Sequence, residues 1–410
     1  MTIEFSLSNR QRDTLAMVHQ FAESVVRPQS LQWDRDHGVP HDFLRQIAMM
    51  AQSMGGGLVM GPGRSSGDEK EPSADEKKRR QPALSTVLGA EAMAWGDAGL
   101  LLCLPGAGLG GPPVRASGTP EQKKRFLSVF DDMSGELRWG AYALTEPGAG
   151  SDVAGIRTSC RKDGRHWVLN GRKCFITNGA RASWNVVFAT VDPALGRAGH
   201  RAFVVEKGTP GFSVGKIEDK MGLRASETAE LVLEDCRVPE DNLLGGEDGY
   251  RTKEGFMTAM KTFDTTRPMV AAMALGIGRA AYEHAVAFVK EHYMLARSVP
   301  RYAAIAERLA RVGRQLEGAR MTTWRAAWLA DQGQRNAKEA SMCKAMAGGA
   351  AIRACIEAIE ICGAEGSIAG DGRLLEKWFR DIKVYDIFEG TGQIQRIVIA
   401  KRLLPDLKSF

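Results

Sequence analysis

Twice along its length this chain changes hydrophobic period, and that limits what it can fold into. From Ser8 to about Arg138 apolar residues recur at helical spacing, with Leu15, Val18, Phe21, Ala22 and Val25 on one face. From about 140 to 245 short apolar runs take over, at 186–191, 202–206 and 229–233, separated by Gly, Pro and Asp. From Phe256 the helical pattern returns in long Ala-rich stretches over 267–292, 302–331 and 335–361. A pattern written for one period does not settle as the other. The chain is therefore expected to be α+β. An N-terminal α-helical domain would span 1–138, a middle β domain 139–248 and a C-terminal four-helix bundle 249–410.

Local signals refine this order. Pro28 should end or kink the first helix, and Phe43, Ile47, Met50 and Ala51 predict a second. Further helices are expected from Leu84 to Trp95 and after Pro120. Trp167 to Ile176 reads as strand, Asn170-Gly171 turn, strand. Residues 61–82, rich in Gly, Pro, Ser and charge, read as an exposed loop.

Composition narrows the function classes. The formal net charge of the 410 residues is only +6, and the basic run Lys77-Lys78-Arg79-Arg80 follows an acidic stretch. No basic stripe interleaved with aromatics is present, so a nucleic-acid partner is not expected. Seven cysteines, an odd number without a C-x-x-C pair, predict a reduced cytoplasmic protein with neither disulfide framework nor metal site. The N-terminus has no leader-like pattern, and no apolar run approaches a membrane span.

Five stretches could carry chemistry. Gly106 to Gly111 matches G-x-G-x-x-G, but Pro112-Pro113 follows at once, and a helix through those positions is not expected. It reads as a Gly-rich connection. Tyr142 to Asp152 sets the hydroxyls of Thr145 and Ser151 among freed backbone amides, a surface for a heterocycle edge or a phosphate, or else a capped turn. Phe175 to Gly179 ends a strand in a hydroxyl, an amide and a glycine. Asp264 and Arg267 share a helix face, as ligand contacts or as an i,i+3 ion pair. Glu389 lies between Phe388 and Gly390, where Gly390 and Gly392 interrupt helical periodicity; it faces a ligand or is a surface Glu at a helix junction.

These stretches resemble the acyl-CoA dehydrogenase family, its short- and medium-chain branch most. The resemblance rests on ALTEPGAGSD (143–152), NGRKCFITNGA (170–180), FDTTRP (263–268) and IFEGTGQIQR (387–396), in the family's order and spacing. It implies bound FAD, an acyl-CoA substrate and α,β-dehydrogenation, with an electron-transfer flavoprotein as acceptor and a homotetramer as the assembly. By the same resemblance Tyr142, Leu144 and Thr145 line the flavin, and Thr177 hydrogen-bonds its reactive end. Phe175 stands where a Trp is usual. Ser151 touches flavin phosphate and CoA, Asp264 and Arg267 touch CoA, and Thr391 and Gln393 touch the FAD of the same site. Glu389 is the catalytic base and Gly390 a substrate contact.

The chain departs from the family at 291–301, where His292 replaces an Arg that reaches a neighbouring subunit's FAD. It departs again at Glu360, where a Gln is common, and residues 250–254 look inserted. A non-catalytic or partner-dependent subunit, and an oxidase or lyase on the same fold, are the alternatives.

Overall fold

The computed structural model describes residues 6–53, 80–131, 136–250, 254–292, 299–370 and 373–404. The 61–82 loop apart from its last three residues, the 251–253 part of the insertion and residues 293–298 of the departing segment lie outside them.

Helix α1 (Asn9–Phe21) opens with a capping box. The Ser8 hydroxyl accepts from the Gln11 amide, and the Gln11 side chain accepts from the Ser8 N–H. Pro28 does not stop the chain's helical course. A π-helical turn over Ala22–Val26 leads into α2 (Arg27–Asp36), whose first turn holds the proline, so the wider turn takes up the irregularity at Pro28. Then come α3 (His41–Ser53), α4 (Pro82–Gly96) and the short α5 (Ala98–Leu102). The orphan amides of Ala83 and Leu84 at the start of α4 are capped from a distance by the Asp331 carboxylate, at 2.9 and 3.0 Å.

The glycine-rich run follows a helix, not a strand, so it is a connection, as expected. The expectation of no helix at Pro112-Pro113 is corrected. Helix α6 (Gly111–Ser117) begins there, because prolines fit a first turn whose amides need no partner. Helix α7 (Pro120–Leu127) follows.

The β region is one seven-stranded sheet. Its strands are β1 (Gly140–Ala143), β2 (Ser159–Asp163), β3 (His166–Thr177), β4 (Trp184–Thr190), β5 (His200–Glu206), β6 (Phe212–Ile217) and β7 (Thr228–Pro239). The order is β1-β4-β2-β3-β7-β6, with β5 on β4. The hairpin expected at Asn170-Gly171 is corrected too. Both residues sit inside β3, at a bulge against β7. The Asn170 and Asp235 side chain and backbone groups bond reciprocally there, at 3.1 and 2.8 Å. The turn between β2 and β3 is made instead at Gly164, with φ +60°.

Strand β4 is buried throughout. Val187 and Ala189 face one core, while Trp184, Val186 and Phe188 face the other. The first core continues from Leu44 and Trp95 through Ala143 and Leu231 to Ala272, Ala351 and Tyr385, so it spans all three segments.

The C-terminal part comprises α8 (Glu254–His292), α9 (Val299–Asp331), α10 (Ala337–Cys362), the single turn α11 (Ala364–Ser367), α12 (Leu375–Tyr385) and α13 (Gly392–Leu403). Gly276 lets α8 lie directly on α4, since a Cβ there would stand 2.4 Å from the Glu91 carbonyl oxygen. Pro268 lies within α8 and has no N–H for the Asp264 carbonyl. The buried Asn336 side chain replaces it, donating to Asp264 O at 3.1 Å and to Ala326 O at 3.0 Å. Asn336→Ala would leave the Asp264 carbonyl unmatched and should lower unfolding free energy by about 1–3 kcal/mol. An unchanged urea midpoint would contradict this.

Candidate active site

Helix α12 ends at Tyr385 and α13 begins at Gly392, and Glu389 stands in the loop between them. The loop is closed by Gly392 N–H donating to Asp386 O at 2.9 Å. A Cβ at 392 would stand 2.5 Å from the Asp386 carboxylate, so a side chain there would push that carboxylate aside. Glu389 and Gly390 are both left-handed, with φ of +55° and +90°. For a Glu this backbone costs about 1–2 kcal/mol, so the surroundings must hold it.

The carboxylate of Glu389 accepts from the Thr266 hydroxyl at 2.5 Å. Burial pushes its carboxyl above the usual range, against the opposing influence of that hydroxyl, Arg267 and Lys344. Tyr142 reaches the same place from β1. Burial raises its phenol strongly, and the Glu389 charge adds to this. Its ring packs on Phe188 with centroids 5.0 Å apart. Arg267 forms an i,i+3 ion pair with Asp264 at 3.4 Å, one of the two readings of that spacing, lies 3.5 Å from the Ser341 hydroxyl and acts electrostatically on Glu389. Thus Tyr142, Asp264, Arg267, Glu389 and Gly390, distant in sequence, meet where sheet and helices join.

A second group gathers at the adjoining end of the sheet. The Cys174 amide donates to Thr145 O at 2.9 Å, so the end of β3 lies beside the segment after β1. Phe175, on the second bulge of β3, has φ +57° and is 64% exposed. A free aromatic ring on a strained backbone next to a buried sheet is unusual, and half-buried Thr145 and Thr177 flank it. The Leu144 side chain belongs to the core, so only its backbone can face a ligand. Thr391 caps α13, accepting from the Ile394 amide at 3.3 Å. Ser151 and Gln393 are exposed. Among the described residues no cluster could hold a metal ion, and no helix is long and apolar enough to cross a membrane.

Sequence reasoning missed four residues here. Thr266 lay inside a motif already singled out. Glu146 anchors the 143–152 segment from beneath. It accepts from Lys173 Nζ at 2.7 Å and from the amides of Arg157 and Thr158 at 2.6 and 3.0 Å. Burial alone would raise its carboxyl, but these partners outweigh burial and hold it low. Lys344 and Gln395 both donate to the Gly390 carbonyl, at 2.7 and 3.0 Å. For Lys344, on α10, no local pattern could have revealed the contact.

Residues 141–236 match the middle domain of acyl-CoA dehydrogenases, and residues 253–404 match their C-terminal domain. The chain is 36% identical to an acryloyl-CoA reductase (NADH) of Anaerotignum propionicum, over 98% of this chain and 96% of that protein. It is 42% identical to the mitochondrial short-chain specific acyl-CoA dehydrogenase of Bos taurus, over 72% of this chain and 70% of that protein. The structure of butyryl-CoA dehydrogenase from Megasphaera elsdenii superposes with a TM-score of 0.82 at 34% identity, covering 98% of this chain and 100% of that one. Whole-length likeness in sequence and in fold, with these two domain matches, means that the chain belongs to the acyl-CoA dehydrogenase family.

Proposed function

We propose that this chain is a flavoprotein oxidoreductase that dehydrogenates a short acyl-CoA thioester between its α and β carbons, with Glu389 as the base. The observation that carries this is the Glu389 carboxylate itself. It is partly withdrawn from water, raised in pKa, held by Thr266 and set on a constrained left-handed turn. An α-proton of a thioester is too weakly acidic for a carboxylate free in water. A base with a raised pKa is a better match, and a hydrogen-bond donor at the thioester oxygen stabilises the enolate as it develops. The family resemblance gives that donor role to the backbone N–H of Glu389.

The residues present fit FAD. The free Phe175 face suits a flat ring system, the Thr145 and Thr177 hydroxyls suit its polar edge, and Gly148 and Gly150 leave open space in which phosphates can approach the backbone. FAD would be held by Tyr142, Leu144, Thr145, Ser151, Phe175, Thr177, Thr391 and Gln393. When bound it supplies the hydride acceptor. Ser151, Asp264, Arg267 and Gly390 would hold the acyl-CoA. Arg267 holds Asp264 and Ser341 through one nitrogen, Nη1. The chain passes electrons to an electron-transfer flavoprotein and works in the cytoplasm as a homotetramer.

The whole-length likeness to a reductase favours a second, related reading. The raised pKa of Glu389 equally suits it to return a proton to the α-carbon. The purified protein should show flavin absorbance that bleaches on anaerobic addition of butyryl-CoA, more than with long or aromatic acyl-CoAs. A protein that stays colourless with added FAD, or a flavin that no thioester bleaches, would overturn the reading. The first outcome would favour a partner-dependent subunit.

A further inference from the structure

Lys344 is 1% exposed on α10, and its one hydrogen bond among the described residues is to the Gly390 carbonyl. An ammonium has three donors, and burying it with a single neutral acceptor is costly. It forms no ion pair among the described residues; Asp386 and Glu389 act on it only through space. The carbonyl it grips is held from the other side by the fully buried Gln395, which also reaches Glu389 O at 3.2 Å. These two side chains therefore fasten the backbone of two successive left-handed residues, one of them the Glu389 that L-residue sterics disfavour there. Gly348, on the same helix, gives Asp386 room to sit against α10, since its Cβ would stand 3.2 Å from the carboxylate.

We propose that Lys344 is the positioning residue of this site: with Gln395 it locks the Glu389–Gly390 turn, and its charge keeps Glu389 competent as a base. The proposal rests on Glu389 being that base. Around the carboxylate, α8 contributes Arg267 and Thr266, β1 contributes Tyr142, the loop contributes Asp386, and α10 contributes Lys344 beside Cys343. Burial pushes Glu389 up, and Lys344 is one of two cations that oppose it. Removing Lys344 must raise the Glu389 pKa further and leave the turn held by Gln395 alone.

The test uses the FAD-loaded protein with butyryl-CoA, comparing Lys344→Met, Lys344→Gln and Glu389→Gln by flavin reduction across pH, ligand affinity and thermal unfolding. Lys344→Met should slow flavin reduction near neutral pH by about tenfold or more and move the acid limb about one pH unit higher. Lys344→Gln keeps a donor for Gly390 without the charge. It should bind ligand within about twofold of the parent and unfold near it, yet show the same limb shift. An unmoved limb in both, or a loss that follows only the unfolding temperature, overturns the proposal. If neither variant folds, Gln395→Met decides. It should slow reduction with the limb in place, and an unchanged rate overturns the lock. If Glu389→Gln is inactive while the Lys344 variants behave as the parent, this proposal alone fails. Turnover by Glu389→Gln removes the base assignment itself.

Discussion

Glu389→Gln should retain flavin and acyl-CoA and lose about 10²–10⁴-fold in dehydrogenation rate, the usual worth of a positioned general base. The amide can still accept from Thr266 and fills the same volume, so the turn has no reason to move. Stability gives a second, independent readout. The folded-state pKa of Glu389 lies above its unfolded value, so the folded chain binds that proton more tightly. The wild type therefore loses stability as pH rises from the unfolded pKa through the folded one. The glutamine side chain of the variant has no proton to lose. The variant should match the wild type in acid and be equally or more stable at neutral pH. Near-normal turnover would end the assignment of Glu389. Inactivity together with a lower unfolding temperature at neutral pH would point to damage rather than lost chemistry.

Lys377→Met should be the most destabilising single change outside the site, at about 3–5 kcal/mol. Lys377 is buried on α12 between Asp97, at 2.9 Å, and Asp381, at 2.6 Å. Burial alone would lower its pKa, but the two carboxylates outweigh burial and hold the ammonium charged. The network fixes three parts of the chain. Asp97 accepts from the Ser30 hydroxyl at 2.5 Å and caps α5 through the Leu100 amide at 2.7 Å. Asp381 accepts from the Leu223 amide at 2.6 Å, between β6 and β7. Methionine would leave two carboxylates facing each other without a cation, and Asp381, which burial already raises, would hold its proton more strongly. The deficit should shrink as pH falls, below about pH 5, and chemical denaturation at two pH values measures it. A loss under about 1 kcal/mol would mean that the network is decorative.

How much was legible followed the range of the interactions. Periodicity placed helices, sheet and helices correctly, because burying one face acts on residues two to four apart. It failed where a local rule met a tertiary competitor. Asn170-Gly171 carries a strong turn signal, yet β7 pairs along β3 on both sides of it, and Asp235 satisfies the bulge. Pro112-Pro113 reads as a breaker, yet a helix start tolerates it. The motifs singled out Tyr142, Thr145, Phe175, Thr177, Arg267 and Glu389, because each lies in a short contiguous stretch whose residue types stand out locally.

The sequence by itself determined the order of helical and β segments, the break at Gly390 and Gly392, and the carboxylate placed there. Each depends on neighbours in the chain. Only the tertiary structure decided that Lys344, 46 residues before Gly390, grips the turn, that Asn336 completes the helix opened by Pro268, and that Tyr142 and Arg267 converge on one carboxylate. Those contacts satisfy buried polar groups, and a buried group takes whichever partner the packing brings within about 3 Å. Distance along the chain does not enter that choice, so no local pattern records it.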